Sequence, residues 1–344
     1  MVCTILSAEE IPGSMKRSIL SSLSKDFCLF YLPSLLTAIL FLLAVPGLAP
    51  SQSYASAAIL FISFYIIDGG HTFLSALRVF RTWNDESVLY LFLIFSIFFA
   101  SLLCVLWKPI WLFRIYLYST VFHHVRQHWG LTAWYQKLNK RFDPMSYYFI
   151  HAFLFLPFFA LHFDPASKSA GFFQEDELLL FPSLILFKIC IGILIVLLAI
   201  FLFHEIENSK KYGIEWNRIM SILCPAIVQF LVFFFCGKSI FALIPLVIGH
   251  GFSYSVLLGS SLKKLSPKRS RISLNVLIVC LALVGGSLLF LADTLLESVE
   301  EKTLLSQSLL AFLTLPAIWH YVVDAFIWKG KHPEAAVIYS QIGA

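Results

Sequence analysis

Residues 178–204 read LLLFPSLILFKICIGILIVLLAIFLFH, with Lys188 the one lysine, arginine or acid among them. A run of about twenty apolar residues is what a helix needs to cross the roughly 30 Å hydrocarbon core of a bilayer. Working outward in both directions, the chain offers nine more such runs, at 27–48, 55–78, 88–107, 110–135, 146–163, 215–236, 239–261, 273–293 and 303–327. The composition agrees: 59% of the 344 residues are hydrophobic and 13% charged, and the mean hydropathy is +0.83. Soluble domains are about half apolar and a quarter charged, so this chain lacks the polar residues to cover a water-facing surface. Disordered, collagenous and disulfide-rich secreted classes are excluded on the same numbers. The expected fold is all-α: a polytopic helical bundle of about ten transmembrane helices, forming one domain over 27–328 between a cytoplasmic segment, 1–26, and a cytoplasmic tail, 329–344.

The basic residues orient the bundle, because short cytoplasmic loops carry the positive excess. Lys16, Arg17 and Lys25 precede the first run; Arg78 and Arg81, then Lys137, Lys140 and Arg141, then Lys210, Lys211 and Arg218 follow the second, fourth and sixth. Lys263, Lys264, Lys268, Arg269 and Arg271 follow the eighth, and Lys329 and Lys331 the tenth. The alternate loops hold Lys108, Lys168, Lys238 and Lys302, with acidic runs at Glu175-Asp176-Glu177 and from Glu297 to Glu301. Both termini are therefore expected in the cytoplasm, and the membrane expected is a bacterial cytoplasmic membrane. The first run, although followed by small residues from Pro46 to Pro50, is longer than a signal-peptide core and reads as an uncleaved helix. The seven cysteines form no close pair and lie mostly inside runs, against a disulfide framework or a thiolate metal site. The net charge of +5 is too scattered for nucleic acid.

In lipid the informative residues are ionisable, since each is costly unless paired, solvated or bound to a metal. Ten histidines are present, and those at 71, 123, 124, 128, 151, 204, 250 and 320 fall at mid-depth or toward the cytoplasmic face. His124 and His128, four residues apart, project from one helix face at a separation that lets two imidazoles share a metal. His123 and Gln127 lie about 100° round the same helix. Asp68 with His71, followed by Ser75, and His320 with Asp324, next to Tyr321, repeat the pattern of a carboxylate one turn from an imidazole, either a second ligand or the acceptor that fixes the tautomer. A lone intramembrane histidine is commonly a helix-to-helix hydrogen-bond partner. Many at one depth call for one cause, and a metal supplies it. His151 and His204 lie at span ends, where headgroup contact and ligation are both open, and Lys188, deep in its run, is expected to be paired or to snorkel poorly. Arg126 is expected to face headgroups or an anionic substrate group. Nitrogen and oxygen donors without cysteine suit iron, zinc or manganese.

The run His123-His124-Val125-Arg126-Gln127-His128-Trp129-Gly130, with Asp68-Gly69-Gly70-His71 and Gly249-His250-Gly251, resembles segments of the membrane-embedded multi-histidine oxygenases. These are the fatty-acid desaturase and hydroxylase group and the Brp/Blh type of carotene dioxygenase. The histidine box is reversed relative to the desaturase order, while length and span count lie closer to the Brp/Blh type, whose iron is held by histidines from several helices. The resemblance implies a non-haem iron centre near the cytoplasmic face that uses O₂ on an apolar substrate reached from the bilayer.

The expected function is an intramembrane non-haem metal oxygenase, hydroxylase or desaturase acting on a lipid- or isoprenoid-like molecule. Iron is the expected metal, with zinc or manganese as alternatives. Expected first ligands are His71, His124, His128 and His320, with His123 and His250 completing a second metal site; Asp68, Asp324, Arg126 and Tyr321 are the expected catalytic groups. No nucleotide-binding loop is visible, so an electron donor would be a separate protein. Two rivals stay open: a zinc-dependent lipid hydrolase, a class that uses three histidines with a Ser/Asp pair, and a transporter with a His/Asp proton relay.

Overall fold

Backbone groups in hydrocarbon must be hydrogen-bonded within the chain, and the ten apolar runs meet that demand as helices. The computed structural model describes residues 18–20, 22–44, 54–79, 83–166, 178–235, 240–265, 271–298 and 303–327, and among them all regular structure is helical. The helices are α1 (Leu23–Leu43), α2 (Ser56–Ser75), α3 (Trp83–Trp107), α4 (Pro109–Leu138), α5 (Met145–Phe163), α6 (Leu184–Tyr212), α7 (Trp216–Phe234), α8 (Ile240–Ser261), α9 (Arg271–Ser298) and α10 (Leu304–Ile327). Nine of the described helices are long and apolar enough to cross a membrane. The exception is α4, which has the length, 30 residues, but carries Arg114, His123, His124, Arg126, Gln127 and His128.

Local signals set the helix ends. The Ser22 hydroxyl caps α1 by accepting from the Lys25 amide, Pro109 opens α4, and the Ser183 hydroxyl caps α6. Gly213, at φ +76°, turns the chain from α6 into α7. Because α6 starts at Leu184, Lys188 sits in its second turn and is exposed, near a helix end where its amine can reach polar surroundings, rather than deep as expected, and it makes no ion pair among the described residues. The residues at 1–17, 46–50, 168, 175–177, 238, 266–270, 299–302 and 328–344 lie outside the described residues. With them go many of the loop charges that bear on sidedness, the segment after the first run and the tail expected in the cytoplasm. The side chains of Arg78, Arg81, Lys263, Lys264, Arg271 and Glu297 also lie outside.

Four helices, α2, α4, α8 and α10, come together on one side of α7. Helix α4 packs against α3, α5, α7 and α10, while α2 packs against α8, α9 and α10. Helix α6 is peripheral: 6% of its most apolar stretch is buried, against 61% of that of α7. The α4–α5 and α6–α7 connections meet at one end of the bundle through Asp143, Glu205, Glu215 and Arg218. The α5–α6 connection lies at the other, where Tyr118 bonds His162 and accepts from the Leu179 amide.

Glycine sets how closely α2, α8 and α9 approach. A Cβ on Gly251 of α8 would sit 2.6 Å from the Ile67 carbonyl oxygen of α2, and one on Gly70 would sit 2.7 Å from the Ala282 carbonyl oxygen of α9. Backbone therefore meets backbone on both sides of α2, the small-residue packing that membrane helices use where no hydrophobic effect drives them together. Helix α2 widens over Phe61–Gly69 and α8 over Ile248–Phe252 into turns bonded i to i+5, a geometry frequent at functional sites.

Candidate metal centre

The widened turns deliver histidines. On α8 the wide turn holds His250 itself, whose carbonyl accepts both from the Ser253 amide and from Gln127 Nε2 of α4, the latter at 3.0 Å. On α2 the wide turn ends one residue before Gly70-His71. With His123 from α4 and His320 from α10, four buried imidazoles from four helices face one another.

Their rings form a closed circuit. Centroids lie 4.6 Å apart for His71 and His250, 4.7 Å for His71 and His320, 4.7 Å for His320 and His123, and 5.1 Å for His123 and His250. The diagonal from His250 to His320 is 6.4 Å. An ion about 2.1 Å from each nitrogen would sit roughly 3.2 Å from each ring centre, placing neighbouring rings roughly 4.5–5.2 Å apart and opposite rings up to roughly 6.4 Å. The four sides and the His250–His320 diagonal fall within those spans, while the donor atoms close enough to share an ion group as trios rather than as all four together. His71 Nε2 and His320 Nε2 are 3.2 Å apart, the separation of two ligands on one ion at an angle of about 100°. Donor atoms of His71, His250 and His320 all lie within 4.8 Å of one another, as do those of His123, His320 and Asp324.

Unused nitrogens test the fit of a metal independently of distance. His71 Nδ1, His123 Nε2, His124 Nε2, His128 Nδ1 and both nitrogens of His250 are buried without a hydrogen-bond partner. A buried polar atom left unpaired costs about 1–3 kcal/mol, so six together would cost on the order of 10 kcal/mol, as much as the whole net stability of many proteins. Donors of this kind fit a metal of the iron, zinc or manganese type. The surrounding groups fit it as well. Ser75 Oγ lies 2.6 Å from His320 Nδ1 and 2.6 Å from the Tyr254 hydroxyl, and Tyr254 donates to Asp324 Oδ1 at 3.1 Å. Asp324 Oδ1 is 3.6 Å from His320 Nδ1, and Asp68 Oδ1 is 3.5 Å from His71 Nδ1. Each carboxylate stands behind an imidazole, but at these distances neither bonds its ring directly: Ser75 is the partner of His320 Nδ1, and His71 Nδ1 is left without one.

Of the expected residues, His71 and His320 share the circuit with His123 and His250, which had been read toward a second site. His124 and His128 form their own pair, centroids 4.5 Å apart, touching the circuit through His250 at 5.8 Å. They border a small cavity between α1, α4, α7 and α8, of about one water's size. Tyr321 stacks on His123 at 4.4 Å, and its hydroxyl lies 2.9 Å from Thr120 Oγ1. Arg126 is exposed in a groove of about 800 Å³ between α4, α8 and α10, which His123, Tyr321 and Asp324 also line.

His151 and His204 stand apart: the Nδ1 of His151 pairs with its own helix carbonyl at Tyr147. His204 joins Asp143 at 3.1 Å in a network centred on Arg218, which bonds Asp143, Glu205, Glu215 and Ser146. Burial pushes the Asp143 carboxyl upward, but the hydrogen bond from His204 and the Arg218 charge outweigh it and hold the group below its ordinary range. Tyr254 and the Arg218 network went unread in the sequence. Tyr254 had a signal, its position four residues after His250 on one helix face. No family model matches the chain, and neither a curated protein nor a solved structure shows significant similarity to it.

Proposed function

We propose that the chain is an intramembrane non-haem metal enzyme, an iron-dependent oxygenase, hydroxylase or desaturase acting on a hydrophobic lipid- or isoprenoid-like substrate. The observation that carries this reading is the circuit of four imidazoles from four helices with buried nitrogens that no protein group satisfies. His71, His123, His250 and His320 would hold the ion, and iron with such ligands supplies open positions at which O₂ is activated. Ser75, with Tyr254 and Asp324 bonded to it, holds His320 in one orientation, and the Asp68 carboxylate stands 3.5 Å behind His71. Tyr321 covers one face of His123. The groove admits an apolar chain from the bilayer to that face and keeps bulk water away, which protects reactive species from side reactions. In this reading the chain crosses the membrane ten times with both termini in the cytoplasm, and a separate protein supplies any electrons needed.

A second reading rests on one observation. His71, His250 and His320 with Ser75 and Asp324 make a three-histidine and Ser/Asp set, which would suit a zinc-dependent hydrolase in which a carboxylate takes a proton from water. Elemental analysis of purified protein decides. The first reading expects stoichiometric iron, lost in a His71→Ala/His320→Ala variant, and substrate-dependent O₂ consumption. Zinc with oxygen-insensitive activity would transfer the site to the second, and no bound iron, zinc or manganese in a folded preparation would end both.

A further inference from the structure

The groove beside the circuit holds a charge that neither the fold nor the metal reading uses. Arg126 is exposed midway along α4 and makes no ion pair among the described residues. An arginine at such depth in a membrane helix costs a few kcal/mol unless it reaches water or meets an anion. The groove around it is chiefly apolar, with Phe122, Trp129, Leu257 and Val322 among its walls. It runs along α4 from Tyr118 to Trp134, roughly 24 Å at 1.5 Å per residue. That is most of a bilayer's hydrocarbon thickness, and about 800 Å³ lies within the range of small-molecule sites. One turn below Arg126, Gly130 lines the same groove, and a Cβ placed there would meet nothing within 4 Å. Space is thus kept open beside the one free cation of the groove among the described residues.

We propose that this groove binds a single-chain amphiphile with one anionic group, a carboxylate or a phosphate, the anion resting on the Arg126 guanidinium and the chain lying along α4 past His123. Guanidinium matches both anions through paired N–H donors. Arg126 and His123 are three residues apart on one helix, so the anchored anion keeps a defined segment of the chain beside the histidine circuit. What happens to that segment rests on the metal reading; the binding does not.

The test is a titration of the full chain in detergent with three probes: a fluorescent long-chain polyene fatty acid, its methyl ester, and a long-chain alkyl phosphate as competitor. The acid should bind about tenfold more tightly than the ester, the share of one charged hydrogen-bonded contact. Arg126→Gln should bring the acid down to the ester's affinity and leave the ester unchanged, Arg126→Lys should retain the acid's preference, and Gly130→Trp should abolish both. Displacement by the alkyl phosphate, stronger or weaker than by unlabelled fatty acid, tells which anion the site prefers. Equal affinity of acid and ester, an equal fall of both in Arg126→Gln, loss of the preference in Arg126→Lys, or binding untouched by Gly130→Trp overturns the proposal. Repeating the titration on chelator-treated protein separates the two readings. Binding that still depends on Arg126 upholds the groove whatever metal the circuit holds, and its loss there with metal content intact before treatment counts against the groove alone.

Discussion

Two polar clusters are buried in this bundle, and they are built on opposite terms. Around Arg218 every nitrogen of the guanidinium is engaged: Nε bonds Glu215 at 2.9 Å, Nη1 bonds Asp143, Ser146 and Glu205 at 2.8 Å each, and Nη2 bonds Glu205 at 2.5 Å. Arg141 joins from the α4–α5 connection, bonding Glu215 at 3.1 Å. Around His250 the reverse holds, since both of its nitrogens and one nitrogen each of His71, His123, His124 and His128 are buried without a hydrogen-bond partner. A satisfied network is complete as it stands and ties helix ends together. An unsatisfied one of the same burial is complete only with something added, and that contrast separates a structural cluster from a candidate reactive one.

The comparison can be broken at its strongest point first. Arg218→Met leaves three buried carboxylates facing one another, and loss of one partner from such a site costs about 3–5 kcal/mol. The variant should unfold well below the wild type on heating in detergent, while the fraction that remains folded keeps its metal. A smaller change, or metal lost in step with stability, would mean the two clusters are not independent. The mirror experiment is chelation. Stripping metal should lower the thermal midpoint of the wild type and leave that of His71→Ala/His320→Ala unmoved, because a ligand that binds the native state stabilises it. Equal responses of the two proteins would remove the contrast.

Smaller effects sharpen it. Ser75→Ala and Asp324→Asn leave the imidazoles in place but free the His320 ring, and metal affinity should fall about 10–100-fold in competition with a chromogenic chelator. Acid titration should touch the Arg218 cluster alone. The Asp143 carboxyl is held below its ordinary range by His204 and Arg218. Its contribution is therefore fully present above about pH 4 and is lost as pH falls through the lowered native value. Thermal midpoints should decline below about pH 4 in the wild type and less steeply in Asp143→Asn. The least effect is expected from His124→Ala/His128→Ala, whose pair lies outside the circuit: metal content should stay near that of the wild type. Its loss there would make the pair a ligand set in its own right.

How much of this was legible in the sequence follows from range. The apolar runs place the described helices because lipid forces each span to satisfy its own backbone, a local condition. Helix α4 shows the same logic from the other side, since its histidines, arginines and glutamine announce a site by weakening its apolar signal. The pairs Asp68 with His71 and His320 with Asp324 were readable because helical spacing puts each on one face, and both pairs stay close in the fold. Which histidines belong together was not readable. His123 and His124 are adjacent and point about 100° apart, so the rotation of α4 against α2 and α10 decides which enters the circuit. His250 carries no local partner, and the widened turn that presents it has no pattern in Ile248-Gly249-His250-Gly251-Phe252 beyond its glycines.

The sequence by itself determined that the described chain is helical, with helices apolar enough to cross a membrane, because each helix depends on hydropathy along one stretch of chain. The tertiary structure decided the grouping: four imidazoles from α2, α4, α8 and α10 in one circuit, two more outside it, and Arg126 in a groove rather than in a pair. Grouping depends on helix rotation and on how closely backbones approach, here limited by Gly70 and Gly251. These are properties of helix pairs, and no single segment encodes them.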